Sequence, residues 1–315
     1  VKNDEIKTFD DLSSITHASV KSDILGIVNE GLNCYISSVL HLLSESFKDC
    51  DLSDHFMICD SNPSTCLACQ LIKILNEMKM VKNEIRSVRI TGLLDCIYEQ
   101  MGYFNARDQE DCSEFLQKLL ERLECFEECM LLPKITDRFD YQIKTVINCP
   151  TNTIRPVSAH CLECSQPDIV NLEGKILYTP FTKSIKKSLE SQIESSRIAC
   201  KCGNETYSRC YFSKLSDFLI LSVGRYKHDD QKCIKIEDPI NSSVFELKDG
   251  ANSTKFEIIG CICHKGSEMV SGHYTWWVKY NGNFYTANDS IISPSDEKYS
   301  QNGSLFLLKV TKEQK

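Results

Sequence analysis

The chain has 315 residues, 42% hydrophobic and 25% charged, enough to bury one large or two modest cores, which excludes bulk disorder. A net charge of −8 gives it no electrostatic reason to seek phosphates, so direct nucleic-acid binding is not expected and a partner with a basic surface or tail suits it better. No apolar run approaches the ~20 residues of a membrane-spanning helix, and the charged start, Val1 to Asp11, lacks the apolar stretch of a secretory signal. No membrane association and an intracellular location are therefore expected.

In chain order, Gly26-Ile-Val-Asn29-Glu-Gly31-Leu-Asn33-Cys34 is a glycine-punctuated turn that runs into a helix. Ile36, Val39, Leu40, Leu43 and Phe47 then fall on one helical face. Leu67, Leu71, Ile74, Leu75 and Met78 predict a second helix. Cys112, Phe115, Leu116, Leu119, Leu120 and Leu123 predict a third, with Asp108 as its N-cap. Past Pro133 the pattern changes. Phe139 to Ile147 alternates in part, and Phe218 to Val223 reads as a buried strand. Phe256 to Cys263, Tyr274 to Tyr280, Phe284 to Ala287 and Leu305 to Val310 continue the strand signal. Helices first and strands after, without β-α-β alternation, predict an α+β fold with an antiparallel sheet. Residues 1–23 and 311–315 are expected to be peripheral.

Cysteine is the compositional outlier, with 18 residues. Several form close pairs, the pattern of zinc sites in a reducing compartment. Cys161 and Cys164, with Cys200 and Cys202, supply four thiolates in two knuckles, suited to a closed structural zinc. Cys149 and His160 are alternative ligands there. His55, Cys59, Cys66 and Cys69 form a second complete set, so two structural zinc ions are expected and no catalytic cofactor. Cys96, Cys112 and Cys125 sit in helical apolar patterns as plain core residues.

Two segments carry chemistry. Cys34 at a helix start faces unpaired N–H groups and the positive end of the helix dipole, both of which favour thiolate, the nucleophilic form. Far downstream, Gly272-His273-Tyr274 opens a strand-like run, Asn281-Gly282 is a hairpin turn, and the return strand ends at Asn288-Asp289-Ser290. Such a hairpin brings Asn288 or Asp289 beside His273, where an amide or carboxylate can hold the ring and its tautomer. Taken singly, a buried helix-start cysteine or a surface histidine beside a turn accounts for either segment.

Together the two segments resemble the signature boxes of the ubiquitin-specific protease family. The Cys box of that family runs roughly G-L-x-N-x-G-x-T-C-Y-[MI]-N-S, against Gly26 to Ser38 here. The His box appears as His264-Lys-Gly266, Gly272-His273-Tyr274 and Phe284-Tyr285-x-x-Asn288-Asp289-Ser290. Between them, Gln109-Glu110-Asp111-Cys-Ser-Glu114-Phe115-Leu116 resembles Q-Q-D-A-x-E-F-L, and Leu219 to Tyr226 resembles L-I-L-x-L-K-R-F. The four boxes stand in family order from residue 26 to about 310.

The resemblance implies a papain-like cysteine protease fold: a helical thumb (about 24–135), zinc-bearing β fingers (about 136–217) and an antiparallel β palm (about 218–311), forming one catalytic domain over 24–311. It implies a thiol-dependent deubiquitinase that cleaves after the C-terminal glycine of ubiquitin. Cys34 would be nucleophile, His273 base, Asn288 orienter, Asn29 oxyanion donor, and Asp289 an assisting neighbour. Asp111, with Gln109, His264 and Tyr274, would meet the arginine-bearing ubiquitin tail. The cluster at His55, Cys59, Cys66 and Cys69 is similar to one in the histone H2B deubiquitinase subunit of the SAGA co-activator. That likeness implies H2B as substrate, adaptor subunits as partners and the nucleus as location. Asn33, Ser37, Glu110, Gly224 and Ala287 stand where the family has Thr, Asn, Gln, Lys and Phe, marking a divergent member. A catalytically silent ubiquitin-binding scaffold is the alternative, as is a protease for a ubiquitin-like modifier.

Overall fold

A computed structural model describes residues 23–52, 56, 59–80, 86–124, 135–147, 168–199, 205–229, 232–241, 244–249, 252–266 and 272–312. Five helices lie among them: α1 (Cys34–Phe47), α2 (Leu67–Lys79), α3 (Thr91–Gln100), α4 (Cys112–Glu124) and α5 (Ile185–Gln192). The pair β1 (Gly26–Ile27) and β2 (Ser87–Val88) runs parallel between the helices. Next come β3 (Tyr141–Ile147), β4 (Asp168–Gly174), β5 (Ile176–Thr179), β6 (Arg197–Ala199), β7 (Glu205–Leu215) and β8 (Phe218–Val223). The chain continues through β9 (Tyr226–Asp229), β10 (Lys232–Lys235), β11 (Phe245–Asp249) and β12 (Asn252–Lys265). It ends with β13 (His273–Tyr280), β14 (Asn283–Asn288), β15 (Ile291–Pro294) and β16 (Gly303–Lys312).

The central sheet has the order β15-β14-β13-β12-β16-β8-β5, with β11 paired to β12; only β5–β8 runs parallel within it. Its two faces close two cores by the period-two rule of strands. Tyr274, Trp276 and Val278 of β13 face the core that holds α1, α2 and α4. Trp277 of β13, with Phe306 and Leu308 of β16, faces the second core with Ile185 and Leu189 of α5. Strand β8, buried on both faces, accordingly reads as the unbroken apolar run Phe-Leu-Ile-Leu. A separate sheet of order β4-β3-β7-β6 extends from this body.

The expected helices over Cys34, Leu67 and Cys112 are all present, and the strand runs hold within a residue or two, except that β12 starts at Asn252, four residues before the expected Phe256. Phe139 is another exception: it closes the 3-10 turn Asp137–Phe139, and the strand starts at Tyr141. The cap of α4 is also different from expectation. Asp111 Oδ1 accepts from Ser113 N at 2.8 Å and Glu114 N at 3.0 Å, so Asp111, not Asp108, caps the helix. Asp108 Oδ2 accepts from Asn105 Nδ2 instead, in the loop before it. Helices α3 and α5 were not expected; the second buries only Ile185, Ser188 and Leu189, too little to leave a periodic stripe. Cys96 and Cys112 lie in the core as expected, and Cys125 falls outside the described residues.

Candidate active site

Cys34 is the first residue of α1 and is 4% exposed. The segment entering the helix is held against the His-box turn by a close backbone approach. A Cβ on Gly26 would sit 2.5 Å from the Ser290 backbone, and Ile27 N donates to Asp289 O at 2.9 Å. Glycine is required at that crossing because any side chain would push the two segments apart. Asn29 is pinned at both ends: its Oδ1 accepts from Gly31 N at 3.0 Å and its Nδ2 donates to Asp289 Oδ2 at 3.0 Å. An amide nitrogen carries two hydrogens, so one remains for a ligand. Asn33, beside the nucleophile, is buried, and neither atom of its amide has a partner among the described residues.

The hairpin forms as expected. Asn281 and Gly282 both take positive φ, 49° and 78°, and set the register Trp276↔Ala287. That register delivers Asn288 to His273, with Nε2 2.5 Å from Asn288 Oδ1. An amide oxygen only accepts, so Nε2 carries the proton and Nδ1 is the basic nitrogen. Asp289, at φ 52° in the turn after β14, places Oδ2 3.9 Å from the same Nε2. The carboxylate thus stands between Asn29 and His273.

The thiol is occupied differently. Cys34 Sγ accepts from Gln109 Nε2 at 3.1 Å and from Tyr274 N at 3.5 Å, not from the imidazole. Gln109 continues across the cleft, its Nε2 donating to Gly272 O at 2.7 Å and its Oε1 accepting from Gly272 N at 2.9 Å. Burial pushes the thiol up from its ordinary value and the Asp289 carboxylate adds to the rise, against the Tyr274, Gln109 and Tyr35 N–H donors. The helix-start expectation of a stabilised thiolate is therefore reversed: loss of water outweighs the donors, and the resting group is a thiol that needs a base.

Behind the cleft, Tyr274 OH donates to Asp111 Oδ2 at 3.3 Å, so both Asp111 oxygens already have internal partners. His264 lies 4.6 Å from the Tyr274 ring and pairs Nδ1 with Tyr226 OH at 2.9 Å. Burial, then the Lys235 cation, push the His264 imidazole down to about 4, so it is neutral near pH 7. A Cβ on Gly272 would meet His264 Nε2 at 2.2 Å and Lys265 O at 2.5 Å, which explains the glycine before His273. The supporting Tyr226 lies in a quoted box; Lys235, which donates to His264 O at 2.6 Å, left no sequence signal.

Cys59, Cys66 and Cys69 bring three sulfurs within 4.8 Å of one another at the start of α2. Cys59 Sγ and Cys66 Sγ are 3.7 Å apart, and tetrahedral M–S bonds of ~2.3 Å set sulfurs ~3.8 Å apart. The cluster fits a metal ion. His55, and Cys161, Cys164, Cys200 and Cys202 with Cys149 and His160, lie outside the described residues.

A cysteine at a helix start, bonded to the backbone N–H of the residue that follows an imidazole held by an amide, defines a site of the cysteine-peptidase class. Residues 25–309 match the family described as ubiquitin carboxyl-terminal hydrolase, and the chain belongs to that family. It is 23% identical over 345 residues to ubiquitin carboxyl-terminal hydrolase 8 of Saccharomyces cerevisiae, covering 91% of this chain and 70% of that protein. It is 19% identical over 299 residues to probable ubiquitin carboxyl-terminal hydrolase 8 of Schizosaccharomyces pombe, covering 90% of this chain and 64% of the relative. Among solved structures it resembles the SAGA Ubp8/Sgf11/Sus1/Sgf73 DUB module bound to ubiquitin aldehyde, with TM-score 0.71, 21% identity, and 93% of this chain and 70% of that one covered. The same module of a Ubp8 variant bound to monoubiquitin gives TM-score 0.72 and 23% identity over 97% of this chain and 73% of that one. Mixed α+β architecture with antiparallel sheets is shared with both.

Proposed function

We propose that this chain is a thiol-dependent deubiquitinase that hydrolyses the isopeptide bond after the C-terminal glycine of ubiquitin. The observation that carries the reading is the His273–Asn288 pair at 2.5 Å, with the next residue, Tyr274, donating its N–H to Cys34 Sγ at the head of α1. Cys34 Sγ attacks the glycine carbonyl carbon while its proton passes to His273 Nδ1. His273 returns that proton to the departing lysine amine, leaving a thioester on Cys34. Water, deprotonated by His273, then releases the ubiquitin carboxylate and restores the thiol. Asn29 donates its remaining N–H to the oxyanion, with Asp289 holding that amide and the imidazole in one network. Asp111 meets a tail arginine once Tyr274 OH yields it.

Helices α1 to α4, the four-stranded sheet and the central sheet take the parts of thumb, fingers and palm. Cys59, Cys66 and Cys69 with His55 hold one structural zinc, and Cys161, Cys164, Cys200 and Cys202 a second. The likeness to SAGA modules supports a nuclear enzyme that works with adaptor subunits on monoubiquitinated H2B.

Ubiquitin-propargylamide should label the wild-type chain and leave Cys34→Ala unlabelled; no labelling of the wild type, with adaptor subunits added, refutes the enzyme. A silent ubiquitin-binding scaffold is the second reading, favoured by the Gln109 bond that occupies the thiol. Metal analysis tests the zinc assignment: two ions per chain are expected, and none refutes it. Chelation should lower thermal stability, because metal-binding free energy in such sites is folding free energy.

A further inference from the structure

Strand β13 has an open edge at the cleft. Its pairing with β14 ends at Trp276↔Ala287, while its pairing with β12 continues to His273↔Lys265. Gly272 and Tyr274 are two residues apart, so their peptide groups point to the same side of the strand. Both are engaged across the cleft: Gly272 N and O with the Gln109 amide, Tyr274 N with Cys34 Sγ. The exchange between Gly272 and Gln109 has the form of a ladder pair, in which one residue both donates to and accepts from the residue opposite. A side chain is playing the part of a neighbouring strand.

We propose that Gly272 is the main-chain docking point for an extended substrate tail, and that Gln109 is a resident stand-in which must leave it before Cys34 can react. This rests on the deubiquitinase reading and adds a selection rule to it. An incoming segment displaces Gln109 only if it is extended and offers both an N–H and a C=O opposite Gly272. The same departure removes the Nε2 bond from Cys34 Sγ, so tail docking and exposure of the nucleophile are one event. A tail with a proline opposite Gly272 lacks the N–H and leaves the latch closed. Gln109 is here a positioning and selecting residue rather than a catalytic one.

The alternative role for Gln109 is a thiolate-stabilising donor, and the two roles predict different pH–rate profiles. In the full chain as purified, the iodoacetamide alkylation rate at Cys34 is followed by mass spectrometry across pH, for wild type and Gln109→Ala. The latch predicts that the limiting rate at high pH, where thiolate is complete, rises at least about tenfold, the worth of a hydrogen bond to a charged group no longer broken. A limiting rate that stays the same or falls, with only the apparent thiol pKa moving up, overturns the proposal. Gln109→Glu, which keeps the shape but loses the N–H donors and faces the Gly272 carbonyl, should raise the limiting rate in the same way. It decides the matter if the alanine variant melts early. The assay needs no ubiquitin, so failure of ubiquitin probes on the wild type would sink the deubiquitinase reading without touching this result.

Discussion

The two flanks of the cleft are built by different means. The strand flank, His273 with Asn288 and Asp289, is assembled by one hairpin whose turn and ladder fix the imidazole, with Nε2 2.5 Å from its amide. The helix flank is assembled from parts distant in sequence: Cys34 from α1, Gln109 from the loop before α4, Gly272 from just before β13 and Tyr274 from within it. The first flank is in working order at rest, and the second is not, since its thiol is held by Gln109 rather than by the base. The orientation of the base is therefore a local property of the sheet, whereas exposure of the nucleophile depends on tertiary contacts that a substrate can replace.

The largest effects should come from breaking the ordered flank. His273→Ala should lower turnover of a ubiquitin conjugate by ~10²–10⁴-fold, the usual worth of a general base, with little change in ubiquitin affinity measured by calorimetry. A parallel loss of affinity would mean that the ring holds substrate instead. Asn288→Ala should cost less, about 10²-fold, because the ring stays in place but loses its tautomer lock. Asn288→Asp, which keeps an acceptor for Nε2, should recover most of that loss; an aspartate as damaging as alanine would show that orientation of the imidazole is not what Asn288 supplies. Smaller again is Gly272→Ala, whose Cβ would meet His264 Nε2 at 2.2 Å. Overpacking of that kind costs about 1–3 kcal/mol, which a thermal melt would register, and activity should fall through a displaced His273. An unchanged melting temperature would mean that His264 moves aside freely.

Legibility in the sequence follows the same division. Asn281-Gly282 and the alternating runs beside it specify the hairpin locally, so the approach of Asn288 to His273 could be read without a structure. The buried stripe of α1 was equally plain, with Ile36, Val39, Leu40, Leu43 and Phe47 all in the core. The Gln109–Gly272 bridge could not be read, because no period or turn rule links residues so far apart. Asp108 and Asp111 are both plausible caps by composition, and the choice between them is settled by packing, where Tyr274 OH meets Asp111 Oδ2. The thiol's upward shift was missed for a related reason: a helix start is visible in a sequence, but the burial that outweighs it is not.

The smallest effect concerns acid, and it sharpens the contrast by asking what supports the strand flank from behind. Burial holds His264 down to about 4, and His41, inside α1, is likewise lowered to about 4 by burial alone. In the unfolded chain both should titrate near the ordinary value of about 6.5. Between those values the unfolded state binds more protons than the folded one, so stability rises with pH across that window and is lost as pH falls from about 6.5 toward 4. Above the window both states are neutral at these rings and the contribution is flat. His264→Gln should therefore make the melting temperature less steep between pH 6.5 and 4, while leaving a residual slope from His41. The cleft adds a second readout. Protonated His264 would face the Lys235 cation from beneath Gly272, so the pH dependence of Cys34 alkylation across the same window, beyond the fall in thiolate common to both, should differ between wild type and His264→Gln. If the slope of stability flattens but alkylation behaves identically in both, His264 supports the sheet alone and the ordered flank needs nothing from it.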